Sequence, residues 1–286
     1  MKTAGPEPRT ADLGDVTVEY LEYAGKEPAV ILLHATGFLP WIWHPIARRL
    51  SADNKVLAPY FCDHRIADLD KGGLDWVVLA HDLSRLTRKL RLDATCVVGH
   101  SMGGAVAVLA CALFGLAPRA LVLIEPIFLP EELYRTPLTV EQHPLASKSI
   151  RRRRSWEDRE AARAYLRSKP LFANWDQEVL DLYLDHGLVH DNQGGLTLAC
   201  QPEREAALFL GGGHRDPWPL LNDILCPVLV LEGETSENRP FIDLVSAARR
   251  FPKGHHVLAK GAGHLIPMEK PDETLKLIRD FQADAA

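Results

Sequence analysis

The sequence predicts an α/β fold: a mostly parallel, doubly wound sheet whose alternation is broken once by a helical insertion. Three observations carry this. Short, unbroken apolar runs recur at "AVILLH" (Ala29–His34), "ATCVVG", "RALVLIEP" (Arg119–Pro126) and "CPVLVLEG", as strands covered on both faces require. Segments with helical spacing alternate with them. From about Ile127 to Leu221 the alternation stops, and it resumes for two more strand–helix pairs. The division expected is a core of residues 1–126 and 222–286, with 127–221 as the insertion.

In order, "VTVEYLEYAG" (Val16–Gly25) alternates weakly and reads as an early, edge-like strand, followed by the buried strand "AVILLH". "HATGFLPW" is a loop and "IWHPIARRLS" an amphipathic helix. "NKVLAPYF" is the next strand, and "WVVLAHDLSRLTRKLRL" (Trp76–Leu92) a helix with one polar face. Strand "ATCVVG", helix "MGGAVAVLACALFG" and strand "RALVLIEP" complete the first part. "EDREAARAYLRSKPLF" and "DQEVLDLYLDHGL" are the helices expected in the insertion. Leu166, Phe172, Leu180 and Tyr183 there either line a tunnel or hold the insertion to the sheet, and "GGGHRDPWP" reads as a return hinge. Alternation ends with "RPFIDLVSAARRF", "HHVLAKG" and "KPDETLKLIRDFQ".

Composition narrows the function classes. The chain has 286 residues, 47 % apolar and 25 % charged, with a net charge of −5. That balance gives no nucleic-acid surface. The basic run Arg151–Arg154 reads as a solvated helix start or loop, with an anion-binding patch as the lesser reading. Five cysteines without a C-x-x-C fit a reducing compartment. The N-terminus lacks an apolar signal region and no stretch reaches ~20 apolar residues, so a cytoplasmic location without membrane contact is expected. No metal motif, phosphate loop or dinucleotide fingerprint is present, so no metal and no cofactor are expected.

The chemistry centres on Gly99-His100-Ser101-Met102-Gly103, a G-x-S-x-G between a strand and a helix. The plain reading is a glycine-rich βα turn. The sharper one is a strained elbow that lifts the Ser101 hydroxyl above the carboxyl edge of the sheet. It also places the Met102 N–H at a helix N-terminus, where an oxyanion is stabilised. A serine hydroxyl needs a base. His264, in "KGAGHLIPMEKP", lies between the last strand and the last helix, with Gly261 and Gly263 to let the loop bend inward. A second oxyanion donor should come from "HATGF": the Thr36 N–H first, the Phe38 N–H second. His34 reads as a brace for that loop, His100 as packing beneath the elbow, and His255 and His256 as structural. Phe38, Trp41 and Leu265 are candidate pocket residues; the aromatics serve equally well as core.

With "LLHATGF", "GHSMGG", "PVLVLEGE" and "GAGHLIPMEKP" in this order, the sequence resembles the α/β-hydrolase fold family over nearly its whole length. The resemblance implies that segment 127–221 is a cap over the site and that a cofactor-free Ser-His-acid triad does the chemistry. It implies an acid three or four residues after Gly233, where no Asp stands. Glu237 is the first choice; Glu125, at the end of the preceding strand, is the alternative. His34-Ala35 replaces the usual His-Gly of the oxyanion loop. The function expected first is a carboxylic-ester hydrolase acting on a small or medium apolar acyl substrate. A C–C, thioester or amide hydrolase, or a non-catalytic ligand-binding member, is the alternative. Ser101 in place of Asp argues against haloalkane and epoxide chemistry. The expected partner is the small acyl substrate, with a homodimer the one macromolecular arrangement left open.

Overall fold

A computed structural model describes residues 5–92, 94–134 and 136–285. Six strands come first: β1 (Glu7–Asp12), β2 (Thr17–Tyr23), β3 (Ala29–Leu33), β4 (Val56–Pro59), β5 (Ala94–His100) and β6 (Ala120–Ile124). Between them lie α1 (His44–Leu50), α2 (Trp76–Lys89) and α3 (Met102–Phe114). The interrupting segment holds α4 (Pro144–Ile150), β7 (Ser155–Trp156), α5 (Arg159–Arg167), α6 (Pro170–Ala173), α7 (Gln177–His186), β8 (Leu188–His190), β9 (Leu196–Leu198) and α8 (Pro202–Gly211). The chain ends with β10 (Val228–Gly233), α9 (Leu244–Arg250), β11 (Gly254–Ala259), α10 (Ile266–Glu269) and α11 (Pro271–Asp284).

The main sheet has eight strands in the order β1-β2-β4-β3-β5-β6-β10-β11. It is parallel from β4 to β11, and β2 pairs antiparallel with both β1 and β4. β1, with five of its six residues exposed, lies outside β2 and carries too little apolar pattern to be read from sequence. β3, β6 and β10 are buried throughout. The pleat sends alternate residues to opposite faces. Ile31, Leu33, Val228 and Val230 meet α2, α3 and α9; Val30, Leu32, Leu229 and Leu231 meet α1, α11 and the insert. β3 lies between β4 and β5, so strand order reverses there, and a crevice opens beyond the carboxyl ends of β3 and β5.

The insert is not purely helical, as the sequence suggested. β7, β9 and β8 form a small antiparallel sheet, in strands of only two or three residues, too short to show a period. Leu166, Phe172, Leu180 and Tyr183 join the same apolar cluster as β3, α1 and α11, so they hold the insert to the sheet. Arg48 on α1 pairs with Glu178 on α7, and the Asp176 N–H donates to the Met268 carbonyl at 2.8 Å. On the other flank, the Trp76 Nε1–H donates to the Leu208 carbonyl at 2.7 Å and the Leu74 N–H to the Ala207 carbonyl at 2.9 Å. Gly211, first of the glycines read as a hinge, ends α8 packed against the Leu74 backbone, where a Cβ would collide. It is a close-contact point.

Glycines also set how α3 leaves β5. A Cβ on Gly103 would lie 2.5 Å from the Leu33 carbonyl oxygen; one on Gly104 would lie 2.9 Å from Pro126 Cβ. A Cβ on Gly99 would strike the Gly103 carbonyl. Backbone cannot yield as a flexible side chain does. Gly103→Ala should therefore lower the urea midpoint by an amount corresponding to about 2 kcal/mol or more, or abolish soluble expression. Gly194→Ala, where a Cβ meets nothing within 4 Å but φ is +86°, should cost only backbone strain, about 1 kcal/mol.

Candidate active site

The chain turns sharply after β5. Ser101 has φ +54° and ψ −116°, outside the regions that L-residues favour. Its N–H continues the β5–β6 ladder, donating to the Ile124 carbonyl at 2.9 Å, and α3 begins at the next residue. The turn is held by strand on one side and helix on the other, and it fixes the direction of Oγ.

Ser101 Oγ lies 3.1 Å from His264 Nε2, and His264 Nδ1 lies 3.0 Å from Glu125 Oε2. The hydroxyl, the imidazole and a carboxylate thus form one connected line. His264 arrives from the loop after β11. His100, the middle residue of the elbow, holds that loop by donating from Nε2–H to the His264 carbonyl at 3.0 Å. Packing beneath the turn was expected of His100; the hydrogen bond adds a placement role. Burial holds its pKa well below the usual imidazole range, so it remains a neutral donor.

The carboxylate is Glu125, which corrects the first choice, Glu237. Glu237 is exposed, and no hydrogen bond joins it to the imidazole. Glu125 is 1 % exposed, at the end of β6, with φ +48°. Its backbone N–H donates to the Leu231 carbonyl at 2.8 Å. Its Oε1 accepts from the Gly233 N–H at 2.6 Å, and its Oε2 accepts from the Ser236 hydroxyl at 2.6 Å. Both oxygens are thereby aimed before they meet the imidazole. The loop after β10, where the acid was expected, supplies hydrogen-bond donors to the acid instead.

Asn238 in that loop was not anticipated. Its Nδ2 lies 2.9 Å from His264 Nδ1. The two contacts on Nδ1 exclude one another in any one tautomer. A proton on Nδ1 goes to Glu125; a lone pair on Nδ1 accepts from Asn238. Only the first leaves Nε2 free to accept the serine proton. A buried carboxylate is the stronger partner. No residue spacing marks Asn238, because its contact depends on how the loop folds back.

Facing Ser101 is the turn after β3. The Phe38 N–H donates to the Ala35 carbonyl at 3.2 Å, closing a turn in which Gly37 has φ +78°. This occupies the alternative oxyanion donor. Thr36, the first choice, is buried, and among the described residues its N–H donates to none. The Met102 N–H, at the first position of α3, has no acceptor within the helix. His34 braces the turn as expected: its Nδ1–H donates to the Ala35 carbonyl at 2.8 Å, and its Nε2 accepts from the Phe61 N–H at 3.0 Å. Ala35 in place of Gly is accommodated in the core at 3 % exposure. The Phe38 ring packs against Trp175 and Tyr183 of the insert, at 5.4 and 5.9 Å. Trp41 is stacked on His186 at 3.6 Å, so one face of its ring is already occupied. Leu265 is buried directly after His264.

Burial lowers the pKa of His34 from 6.5 to about 4. Between these values the unfolded chain takes a proton that the folded chain refuses. Stability is therefore complete above about 6.5 and falls as the pH drops towards 4, by roughly 3 kcal/mol at most from this residue. Urea unfolding at pH 7 and pH 4.5 should show this loss, and His34→Asn should show a smaller difference between the two pH values.

Comparison with known proteins identifies the family. Residues 30–277 match the model of the Alpha/beta hydrolase family. The chain is 26 % identical over 273 residues to the 2-(acetamidomethylene)succinate hydrolase of Mesorhizobium japonicum, covering 96 % of this chain and 94 % of that one. The crystal structure of E-2-(acetamidomethylene)succinate hydrolase superimposes with a TM-score of 0.80 at 25 % identity, covering 96 % of this chain and 98 % of that one. A malate-bound esterase from Thermogutta terrifontis shares the fold, with a TM-score of 0.70 at 23 % identity and 99 % of both chains covered. Strand order, elbow and family match together make this chain a member of the alpha/beta hydrolase family.

Proposed function

We propose that this protein hydrolyses an acyl bond through a serine nucleophile, and that the bond is of the amide type. The observation that carries the reading is the unbroken line from Ser101 Oγ through His264 to Glu125, at 3.1 and 3.0 Å. In this reading the Ser101 proton passes to His264 Nε2 as Oγ attacks the acyl carbon. The tetrahedral oxyanion accepts from the Met102 and Thr36 N–H groups. Glu125 holds the Nδ1–H and stabilises the imidazolium. Nε2–H then protonates the leaving nitrogen, which an amide requires and an activated ester does not. Water, deprotonated by the same Nε2, releases the acyl group and returns Ser101 to its starting state.

The choice of amide over ester rests on the relative from Mesorhizobium japonicum, whose name gives an acetamide joined to a succinate as its substrate. It matches this chain nearly from end to end. The ester reading expected from sequence remains the easier half of the same chemistry, which makes an activated ester a convenient assay.

The reading is tested by an alkyl fluorophosphonate followed by peptide mapping. Ser101 should be the residue modified, and Ser101→Ala should block both labelling and turnover of p-nitrophenyl acetate. Label on another serine, or undiminished turnover by Ser101→Ala, would overturn it. Glu125→Gln should lower kcat roughly 10³–10⁴-fold, while Glu237→Gln behaves as a surface substitution. The two steady-state assays together decide between the two acids.

A further inference from the structure

The run Arg151–Arg154 is the solvated loop its sequence suggested at three of its four arginines; Arg151, Arg153 and Arg154 are exposed, and Arg152 is half-buried. Arg154 Nη2 pairs with Glu203 Oε1 at 2.9 Å, and the Arg153 guanidinium lies over the Trp156 and Tyr165 rings. Arg152 points inward. Its Nη1 donates to Glu205 Oε2 at 2.8 Å, and its Nη2 lies 3.5 Å from Tyr183 Oη. The pair is largely covered, with 22 % of the Arg152 side chain and 11 % of the Glu205 side chain exposed.

Its location ties the pair to the site. Glu205 rests against Gly37: a Cβ there would collide with Oε1 and sit 2.8 Å from Cδ. Gly37 immediately follows Thr36 in the turn that faces Ser101. The Tyr183 ring meets the Phe38 ring edge-on at 5.9 Å. The guanidinium is therefore one carboxylate away from the proposed oxyanion turn, on the insert side of it.

Sinking an ion pair this far is costly, and apolar residues of the same volume would hold the insert as well or better. The acyl-transfer steps use neither charge. A guanidinium carries five N–H donors in a fork that fits a carboxylate. Among the described residues, one donor of Arg152 makes a short bond and a second makes a contact at the limit of hydrogen bonding. Among the described residues the other donors of the fork meet no acceptor, and the Arg152 side chain as a whole keeps 22 % exposure. The chain as a whole carries −5, so its long-range field does not draw anions, and only a local cation can select one.

We propose that the open edge of Arg152 holds a carboxylate of the substrate beside the oxyanion turn, so that the molecule presented to Ser101 is an acid-bearing acyl compound. This rests on the serine-hydrolase reading of Ser101 for its catalytic meaning; the anion site itself does not need turnover. Glu205 is the positioning residue. It fixes the guanidinium, cancels its charge when the site is empty, and joins the insert to the turn.

Binding and turnover test it separately. In Ser101→Ala, isothermal titration should show binding of succinate and none of succinamide. Adding Arg152→Met together with Glu205→Gln, which removes both charges at once, should weaken succinate binding roughly 10- to 100-fold. Arg152→Lys guards against misfolding, because it keeps the charge and gives up the fork; its affinity should fall between the two. In turnover, the ratio of kcat/KM for p-nitrophenyl hemisuccinate to that for p-nitrophenyl acetate should exceed one and drop by a similar factor in the double variant. Equal succinate affinity with and without Arg152, or an unchanged ratio, overturns the anion site. Succinate binding that depends on Arg152, with neither ester cleaved, supports the anion site and counts against the hydrolase reading.

Discussion

The structure depends on one close approach, that of helix α3 to strands β3 and β5. Gly103 and Gly104 place helix backbone where any side chain would meet the Leu33 carbonyl or Pro126. With that approach in place, the residue between strand and helix has no favoured backbone conformation left. Ser101 takes φ +54°, and the rigid elements on either side maintain it. The strain points Oγ out of the sheet edge and leaves the next N–H at a helix start. A looser junction would relieve the strain and lose the aim.

Everything else at the site is brought to that hydroxyl by hydrogen bonds between distant segments. His100 holds the loop that carries His264; Gly233 and Ser236 hold the carboxylate that orients it. His34 holds the opposing turn through Ala35 and Phe61. Each of these groups is itself buried and bonded, so little conformational freedom remains to be lost when a substrate enters. Two of the holding groups, His34 and His100, are imidazoles kept neutral by burial, which lets them act as directional donors without adding charge near His264.

The insert is part of this construction. Its apolar helices share a cluster with one face of the sheet, and it is bonded to the core on both flanks. Through Glu205 it also touches the turn facing Ser101. The insert is thus joined to the turn after β3 as well as to the sheet.

Sequence alone determined the alternation of strands and helices, the elbow at Ser101, the histidine that meets its hydroxyl, His264, and the bracing of the β3 turn by His34. These follow from short-range causes: continuous apolar runs, glycines at fixed offsets, and a histidine between the last strand and the last helix. Tertiary structure decided what depends on chain segments that meet only through the fold. Glu125 meets the imidazole because its oxygens are held by Gly233 and Ser236, 108 and 111 residues further on. Arg152 turns inward and is half-buried because it pairs with Glu205, 53 residues away. The outer strand β1 and the small sheet of the insert likewise exist through pairing, with too little pattern of their own to announce it. Local propensity is written residue by residue; a partner across the fold is known only once the backbone has set the distance between them.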